Sequence, residues 1–200
     1  MDADYPEYGV LIPCRNTYKR LTGFELLFSE ASLLTPISEY FFGNGWSAEA
    51  EVDCNTIFQI GTKGDVYYDL LAKKDRTKLI CEMKFLNGND VRVLKDILKL
   101  AIPPQNEARQ RLLLVALQPD FKSDLFSKLA KSKKLEINPG ADGLQLYYDD
   151  GVLPKGGKEV KAGIETTLRF DPNLREIDIE VIPPISHEKE RVFIFSISRR

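Results

Sequence analysis

The most informative stretch of the chain is 67–85, YYDLLAKKDRTKLICEMKF, which predicts two antiparallel strands joined by a short turn. Alternating apolar and polar residues indicate strands at Asp65–Lys73 and Lys78–Phe85, and the polar segment 74–77 between them suits a hairpin turn. Successive side chains of a strand point to opposite faces of the sheet. The second strand therefore has one apolar face that should pack into a core, formed by Leu79, Cys81, Met83 and Phe85. The first strand should likewise place its apolar residues on one face, namely Val66, Tyr68, Leu70 and Ala72.

The other face of the predicted hairpin brings charged side chains together. With the turn centred in 74–77, Asp69 lies opposite Glu82, and directly opposite residues have Cβ atoms about 4.5–5.5 Å apart. Two carboxylates this close repel each other unless a cation joins them, and at least one should have a raised pKa. Mg²⁺ suits that role because it takes carboxylate oxygens and retains bound waters. Lys84 shares the face of Glu82, where it can orient or help deprotonate one of those waters.

The flanking sequence predicts a helix on either side of a group of strands. Apolar residues at helical spacing indicate a helix over 29–42, and a strand follows at Ala48–Asp53. Beyond the hairpin, Asn89 or Asp90 can cap a second helix. The continuous apolar run in Arg111–Leu117 is typical of a strand buried on both faces. The order is α-β-β-β-α-β, and the crossover helix predicts that this last strand runs parallel to the second hairpin strand.

The remainder of the chain predicts a third helix and further strands. The helix covers Phe121–Lys134, and residues 135–200 are expected to form a β-rich extension packed on the core 29–134 rather than a separate domain. Residues 1–28 form an N-terminal segment of mixed character. Four strands are predicted in the extension, at Leu144–Tyr148, Ile164–Phe170, Glu176–Val181 and Val192–Ser198.

Composition restricts the compartment and the function class. The apolar runs are too short to cross a bilayer, and the first residues lack the order of a signal peptide, so neither membrane insertion nor export is expected. Three cysteines at unrelated spacings fit neither a disulfide framework nor a zinc site, which favours the cytoplasm. The net charge of −2 counts against a dedicated nucleic-acid-binding protein. A nuclease, however, needs only a local basic groove beside an acidic metal site.

The stretch 67–85 resembles motifs II and III of the PD-(D/E)XK nuclease superfamily. Asp69 corresponds to the motif II aspartate, and Glu82-Met83-Lys84 corresponds to the (D/E)XK tripeptide. The α-β-β-β-α-β order is similar to the core of that superfamily, and together these likenesses cover about half of the chain. The sequence departs from the literal pattern because no proline precedes Asp69. Asp65 is the alternative motif II residue, although a shifted turn or a bulge would be needed for it to face Glu82.

The resemblance implies an α/β fold with a restriction-endonuclease-like core and a mixed sheet, and a nuclease that cuts DNA. It implies a bound Mg²⁺, with Mn²⁺ as the alternative. The implied ligands are Asp69, Glu82 and the main-chain carbonyl of Met83. Asp65 would be a ligand if it is the motif II acid. Lys84 would position the attacking water and stabilise the charge of the transition state.

Members of the superfamily often carry a further glutamate on the first helix. Glu30 fits this role if the helix begins at Ser29, whereas Glu39 fits if the helix begins at Thr35. Two acids of the first strand, Glu49 and Glu51, can also line the edge of the site.

Two other hypotheses remain open at this point. The same fold can serve as a nucleic-acid-binding or assembly module without cleavage, which the acidic pI favours. The motif can also be a coincidence in an unrelated α+β protein, because fold and function are only loosely linked. DNA is the expected partner, RNA is not excluded by the pattern, and a homodimer stays open.

Overall fold

The structure of the protein, a computed structural model, describes residues 6–23, 29–54, 57, 66–88, 91–103, 108, 110–140, 143–148, 151–152, 157–182 and 191–199. The helices in this part of the chain are α1 (Pro6–Gly23), α2 (Ala31–Gly43), α3 (Val91–Leu100), α4 (Asp124–Leu129) and α5 (Gly157–Phe170). The strands are β1 (Ser47–Asp53), β2 (Tyr67–Lys74), β3 (Thr77–Leu86), β4 (Gln110–Leu117), β5 (Lys134–Gly140), β6 (Gly143–Tyr148), β7 (Gly151–Val152), β8 (Glu176–Ile182) and β9 (Val192–Arg199).

All of these strands belong to one mixed sheet in the order β1-β2-β3-β4-β9-β8-β5-β6-β7. The protein is therefore mixed α/β. The strand β3 runs parallel to β4, and the other pairs in the described part of the chain are antiparallel. Because β9 pairs with β4, the C-terminal strands continue the sheet that carries the hairpin.

The predicted hairpin is confirmed. The strands β2 and β3 pair antiparallel in the expected register, from Lys74 opposite Thr77 to Leu70 opposite Cys81. Asp75 occupies the turn with φ of 54°, a left-handed conformation that aspartate tolerates better than most residues. The parallel pairing of β3 with β4 is also as predicted, since a connection that contains α3 joins the two strands.

Helices cover both faces of the central strands and create two apolar cores. On the first face, Leu79, Cys81 and Met83 pack with α1 and α2, as the alternation in β3 predicts. On the second face, apolar residues of β3 and β4 pack with α3 and α5. Residues 111–117 of β4 are all buried, which confirms that this strand lies between the two cores. Each fully buried large apolar side chain of this kind contributes roughly 1.5–3 kcal/mol.

Two predicted elements are wrong, and one helix was not predicted. The N-terminal segment contains the helix α1, and its Tyr18 hydroxyl donates to the carbonyl oxygen of Leu117 at 2.6 Å. Ile164–Phe170 is part of α5 rather than a strand, because Val160, Ile164 and Thr167 are buried at helical spacing.

The third helix is also shorter than predicted. The helix α4 begins after Ser123, whose hydroxyl accepts a hydrogen bond from the amide of Phe126 at 2.9 Å, and it ends at Leu129. Lys134, expected at the end of that helix, instead begins β5. Within the part of the chain that the structure describes, no helix combines the length and the apolar character needed to span a bilayer.

Candidate active site at the open end of the hairpin

The main-chain ladder between β2 and β3 extends from the turn as far as Leu70 and Cys81. Beyond that point, carboxylates accept the hydrogen bonds of the β3 amides. The amide of Met83 donates to Asp69 Oδ2 at 2.6 Å, and the amide of Phe85 donates to Glu30 Oε1 at 3.3 Å. The regular pairing thus gives way to side-chain acceptors where the sequence predicts the site. We call this region, away from the turn, the open end of the hairpin.

The backbone is irregular at the open end, and this corrects one prediction about β2. Leu70 and Ala72 belong to the core beneath α1 and α2, as expected, but Val66 and Tyr68 lie in the core on the opposite face. The alternation therefore reverses near Asp69. The neighbouring strand is distorted at the same level, where Glu51 adopts φ of 52° between two regular pairs with β2.

A cavity of about 780 Å³ lies between the open end of the hairpin and the helices α3 and α5. Asp69, Glu82 and Lys84, the three residues predicted from the motif, all line it. The helix α3 contributes Asp96 and Lys99, and α5 contributes small and polar residues such as Thr166. The predicted charged face is therefore the floor of a concave site rather than an open sheet surface.

Glu82 is deeply buried in the floor of this cavity, with only 1% of the residue exposed. Its Oε2 atom lies 2.6 Å from Lys99 Nζ, while its Oε1 atom is buried and has no hydrogen-bond partner in the described structure. Burial raises the pKa of Glu82 well above its usual range; Lys99 opposes this rise, and Asp69 and Asp96 add to it. The predicted rise is confirmed, but its main cause is burial and not the charge of Asp69.

Lys84 is held between two other carboxylates. Its Nζ atom lies 3.2 Å from Glu30 Oε1 and 3.4 Å from Asp96 Oδ2. Burial lowers the pKa of Lys84, but Asp96 and Glu30 together raise it by more, so that the net shift is upward. The hairpin register alone predicts that Asp69 and Glu82 raise the pKa of Lys84; the pKa is raised, but Asp96 and Glu30 are the carboxylates that raise it.

Glu30 reaches the site from just before the first turn of α2, which begins at Ala31. Its side chain remains 44% exposed while it contacts Lys84 and the amide of Phe85. The alternative, Glu39, lies exposed on α2. Of the two acids on β1, Glu51 lines the cavity, whereas Glu49 is exposed and does not.

Sequence reasoning missed the two charged residues of α3. Asp96 and Lys99 are three positions apart, so both project from one side of the helix toward β3. The structure buries Asp96 among the apolar residues of α3. In the sequence, an acid placed between apolar residues of a predicted helix was the signal that could have identified it. Lys99 is fixed in place by Tyr68, whose hydroxyl donates to the Lys99 carbonyl oxygen at 3.2 Å and whose ring centre lies 5.8 Å from its Nζ atom.

The carboxylates suit a hard divalent cation. Asp69 and Glu82 offer oxygen donors on one cavity, and the unpartnered Oε1 atom of Glu82 is the kind of buried acceptor that a cation satisfies. The Met83 side chain is buried in the apolar core, so only its carbonyl oxygen is available as a ligand. Asp65 lies outside the described residues. Among the residues that are described, no three His, Cys, Asp or Glu side chains form a group that could hold a metal.

Comparisons with known proteins yield no matching family model, no matching curated protein and no matching solved structure. A function is therefore inferred from the chemistry of the cavity and from the motif that lines it. The cavity combines two carboxylates on β2 and β3, a lysine between further acids, and two further lysines on α3.

Proposed function

We propose that this chain is a divalent-metal-dependent nuclease with a restriction-endonuclease-like core, and that it hydrolyses phosphodiester bonds of DNA. The main support for the proposal is that Asp69, Glu82 and Lys84 line one cavity. This cavity lies where the main-chain pairing of β2 with β3 ends. Strand order supports it as well, because an antiparallel hairpin followed by a parallel crossover strand is what the resemblance implies.

In this proposal Asp69, Glu82 and the carbonyl oxygen of Met83 hold Mg²⁺, with Mn²⁺ as the alternative. A bound divalent cation supplies stabilisation of the developing phosphoryl charge and lowers the pKa of a bound water. The protein contributes oxygen donors in a partly enclosed cavity. Burial gives Glu82 an acceptor atom that has no hydrogen-bond partner among the described residues, which favours binding of a cation over leaving the carboxylate bare.

Lys84 is the proposed catalytic lysine. Its ammonium group lines the cavity and is directed by Glu30 and Asp96 at 3.2 and 3.4 Å. A cation in this position orients the attacking water and stabilises the additional negative charge of the transition state. Glu30 therefore acts in the proposal as a residue that positions Lys84, and it completes the acidic border of the site.

The cavity also contains ammonium groups, beside its acids, that can contact an anionic backbone. Lys95 and Lys99 of α3 line it together with Lys84, although the chain as a whole has a net charge of −2. Lysine side chains commonly contact nucleic-acid phosphates and fix the position of the strand. The far wall is formed by α5, which supports a contribution of residues 135–200 to substrate choice.

One observation favours the alternative of a non-catalytic nucleic-acid-binding module with the same fold. Lys99 already neutralises one oxygen of Glu82 at 2.6 Å, so the protein satisfies part of this carboxylate without a metal. In that case Lys84, Lys95 and Lys99 would bind phosphate groups, and the carboxylates would orient the lysines.

A cleavage assay separates the two functions. Wild type, Glu82→Gln and the control Glu49→Gln, an exposed acid of β1 outside the cavity, are incubated with plasmid DNA, single-stranded DNA and RNA in Mg²⁺, Mn²⁺ or chelator. We expect metal-dependent cleavage by wild type and Glu49→Gln, and none by Glu82→Gln. Binding of nucleic acid without cleavage of any substrate in Mn²⁺ would instead establish the non-catalytic function.

A further inference from the structure

Glu82 forms an ion pair with Lys99, a residue that is not part of the predicted nuclease motif. Lys99 Nζ lies 2.6 Å from Glu82 Oε2, and the side chains of the two residues are 21% and 2% exposed. The ammonium is thus the nearest cation to a carboxylate that, under the proposed function, binds a metal ion. A divalent cation and the Lys99 ammonium would therefore compete for the same buried carboxylate.

The protein holds Lys99 firmly in this position. Its backbone lies in the last turn of α3, and its carbonyl oxygen accepts the hydrogen bond of the buried Tyr68 hydroxyl. The ring of Tyr68 also lies near the ammonium, at 5.8 Å from its centre to Nζ. Arg199 supports the same end of α3, because its guanidinium donates to the carbonyl oxygens of Ala101, Ile102 and Pro103.

We propose that Lys99 is a positioning residue that acts through Glu82, as the counter-ion that a divalent cation must displace and that therefore sets the metal affinity of the site. This inference rests on the proposed function. While the ammonium remains paired, Glu82 keeps one oxygen, Oε1, unpartnered and the other neutralised. An incoming cation meets both competition for Oε2 and repulsion from a positive charge a few ångströms away. The free protein should therefore bind metal weakly, although Glu82 keeps its position in the site.

The inference predicts that a neutral side chain of similar length at position 99 strengthens metal binding. Mn²⁺ affinity is measured by calorimetry and by electron paramagnetic resonance of free Mn²⁺, at about pH 8.5 to limit protonation of the buried carboxylate. We expect Lys99→Met to bind Mn²⁺ about tenfold to a hundredfold more tightly than wild type, because a nearby positive charge is removed. Lys73→Met removes an exposed lysine of β2 that does not line the cavity, and Lys99→Arg retains the charge at position 99; both should stay within about threefold of wild type.

A second measurement covers the case in which Lys99→Met folds poorly. Removal of one member of a buried ion pair leaves an uncompensated charge, so this variant should melt at a lower temperature in chelator. Mn²⁺ should then restore its melting temperature toward that of wild type, because the metal supplies the missing counter-ion. Restoration supports the inference, and a Lys99→Met protein that stays unstable in Mn²⁺ overturns it.

The outcomes also distinguish this inference from the proposed function. If wild type binds Mn²⁺ and Lys99→Met binds it equally or more weakly, Lys99 does not compete with the metal, and only the inference fails. If neither protein binds Mn²⁺ in the presence of single-stranded or duplex DNA, the site holds no metal, and the proposed function fails together with the inference.

Discussion

The two ends of the β2–β3 hairpin differ in how they satisfy the same kind of backbone amide. At the turn end, a regular antiparallel ladder joins the strands, and apolar side chains cover both faces. At the open end, the amides of Met83 and Phe85 donate instead to the carboxylates of Asp69 and Glu30. One pair of strands thus provides a rigid base at one end and a concave charged site at the other.

The difference shows what the site requires of the sheet. A carboxylate that replaces a main-chain acceptor brings negative charge next to a buried strand, and this is stable only with cations close by. Lys84 and Lys99 provide that charge, one from the hairpin and one from α3. The turn end needs no such compensation, so substitutions at the open end should lower activity or stability, whereas substitutions of exposed residues near the turn should change neither.

The largest expected effect is on cleavage and comes from Lys84→Met. If Lys84 acts in the transition state, the cleavage rate should fall by about 10²–10⁴-fold, the range typical of positioned acid–base or electrostatic groups. Mn²⁺ should still bind, because a positive charge near the carboxylates has been removed. Lys73→Met, an exposed lysine of β2 near the turn, is the control and should cleave at the wild-type rate. Equal rates for the two variants would exclude Lys84 from catalysis.

The next effect concerns stability and comes from Asp69→Ala. The amide of Met83 loses its 2.6 Å acceptor in a partly buried position, which typically costs about 1–3 kcal/mol of unfolding free energy. Lys73→Ala, at the regular end, should change the stability by less than about 0.5 kcal/mol. Denaturant unfolding in chelator measures both values. A loss of stability that is the same in the two variants would show that the carboxylate does not replace a ladder bond.

The pH dependence of stability tests the burial of Glu82. Its pKa is raised in the folded protein, so the native state keeps a proton that the unfolded state loses as the pH rises above the ordinary value of 4.5. Without metal, the stability of wild type relative to Glu82→Gln should therefore fall as the pH increases from 4.5, by at most about 1.4 kcal/mol per pH unit. Denaturant unfolding from pH 4 to pH 8 (roughly the span in which a raised carboxyl pKa is expected to act) measures this. A relative stability that rises with pH would contradict a raised pKa.

The smallest effect compares two adjacent tyrosines at the open end. Tyr68→Phe removes the buried hydroxyl that donates to Lys99, and it should cost about 0.5–1.5 kcal/mol of unfolding free energy. Tyr67→Phe alters a side chain that is 47% exposed and should be nearly neutral, within about 0.5 kcal/mol. Thermal or denaturant unfolding of the pair in chelator is sufficient. An equal cost for both would mean that the Tyr68 hydroxyl does not anchor α3.

The sequence predicted the hairpin with its register, the apolar face of β3 and the parallel strand β4 because these depend on local alternation and on one short crossover. It did not predict α1, whose apolar residues are interrupted by polar residues and by Pro13, and it mistook part of α5 for a strand. In both helices the apolar pattern is short and mixed, so periodicity alone does not separate helix from strand. Packing against the sheet decides the outcome there.

The amino-acid pattern was sufficient to predict the faces of β3, including Glu82 and Lys84, because that strand alternates regularly and a two-residue turn fixes its register with β2. Asp69 was also predicted at the site, but the reversal of alternation beside it, which places Val66 and Tyr68 in the other core, was not. The burial of Glu82, its pairing with Lys99, and the contacts of Lys84 with Asp96 and Glu30 are apparent only in the folded protein. These contacts join residues from α2, α3 and β3, and the distance between such elements depends on how whole helices pack on the sheet. No local pattern encodes that distance, although it sets the charge balance of the site.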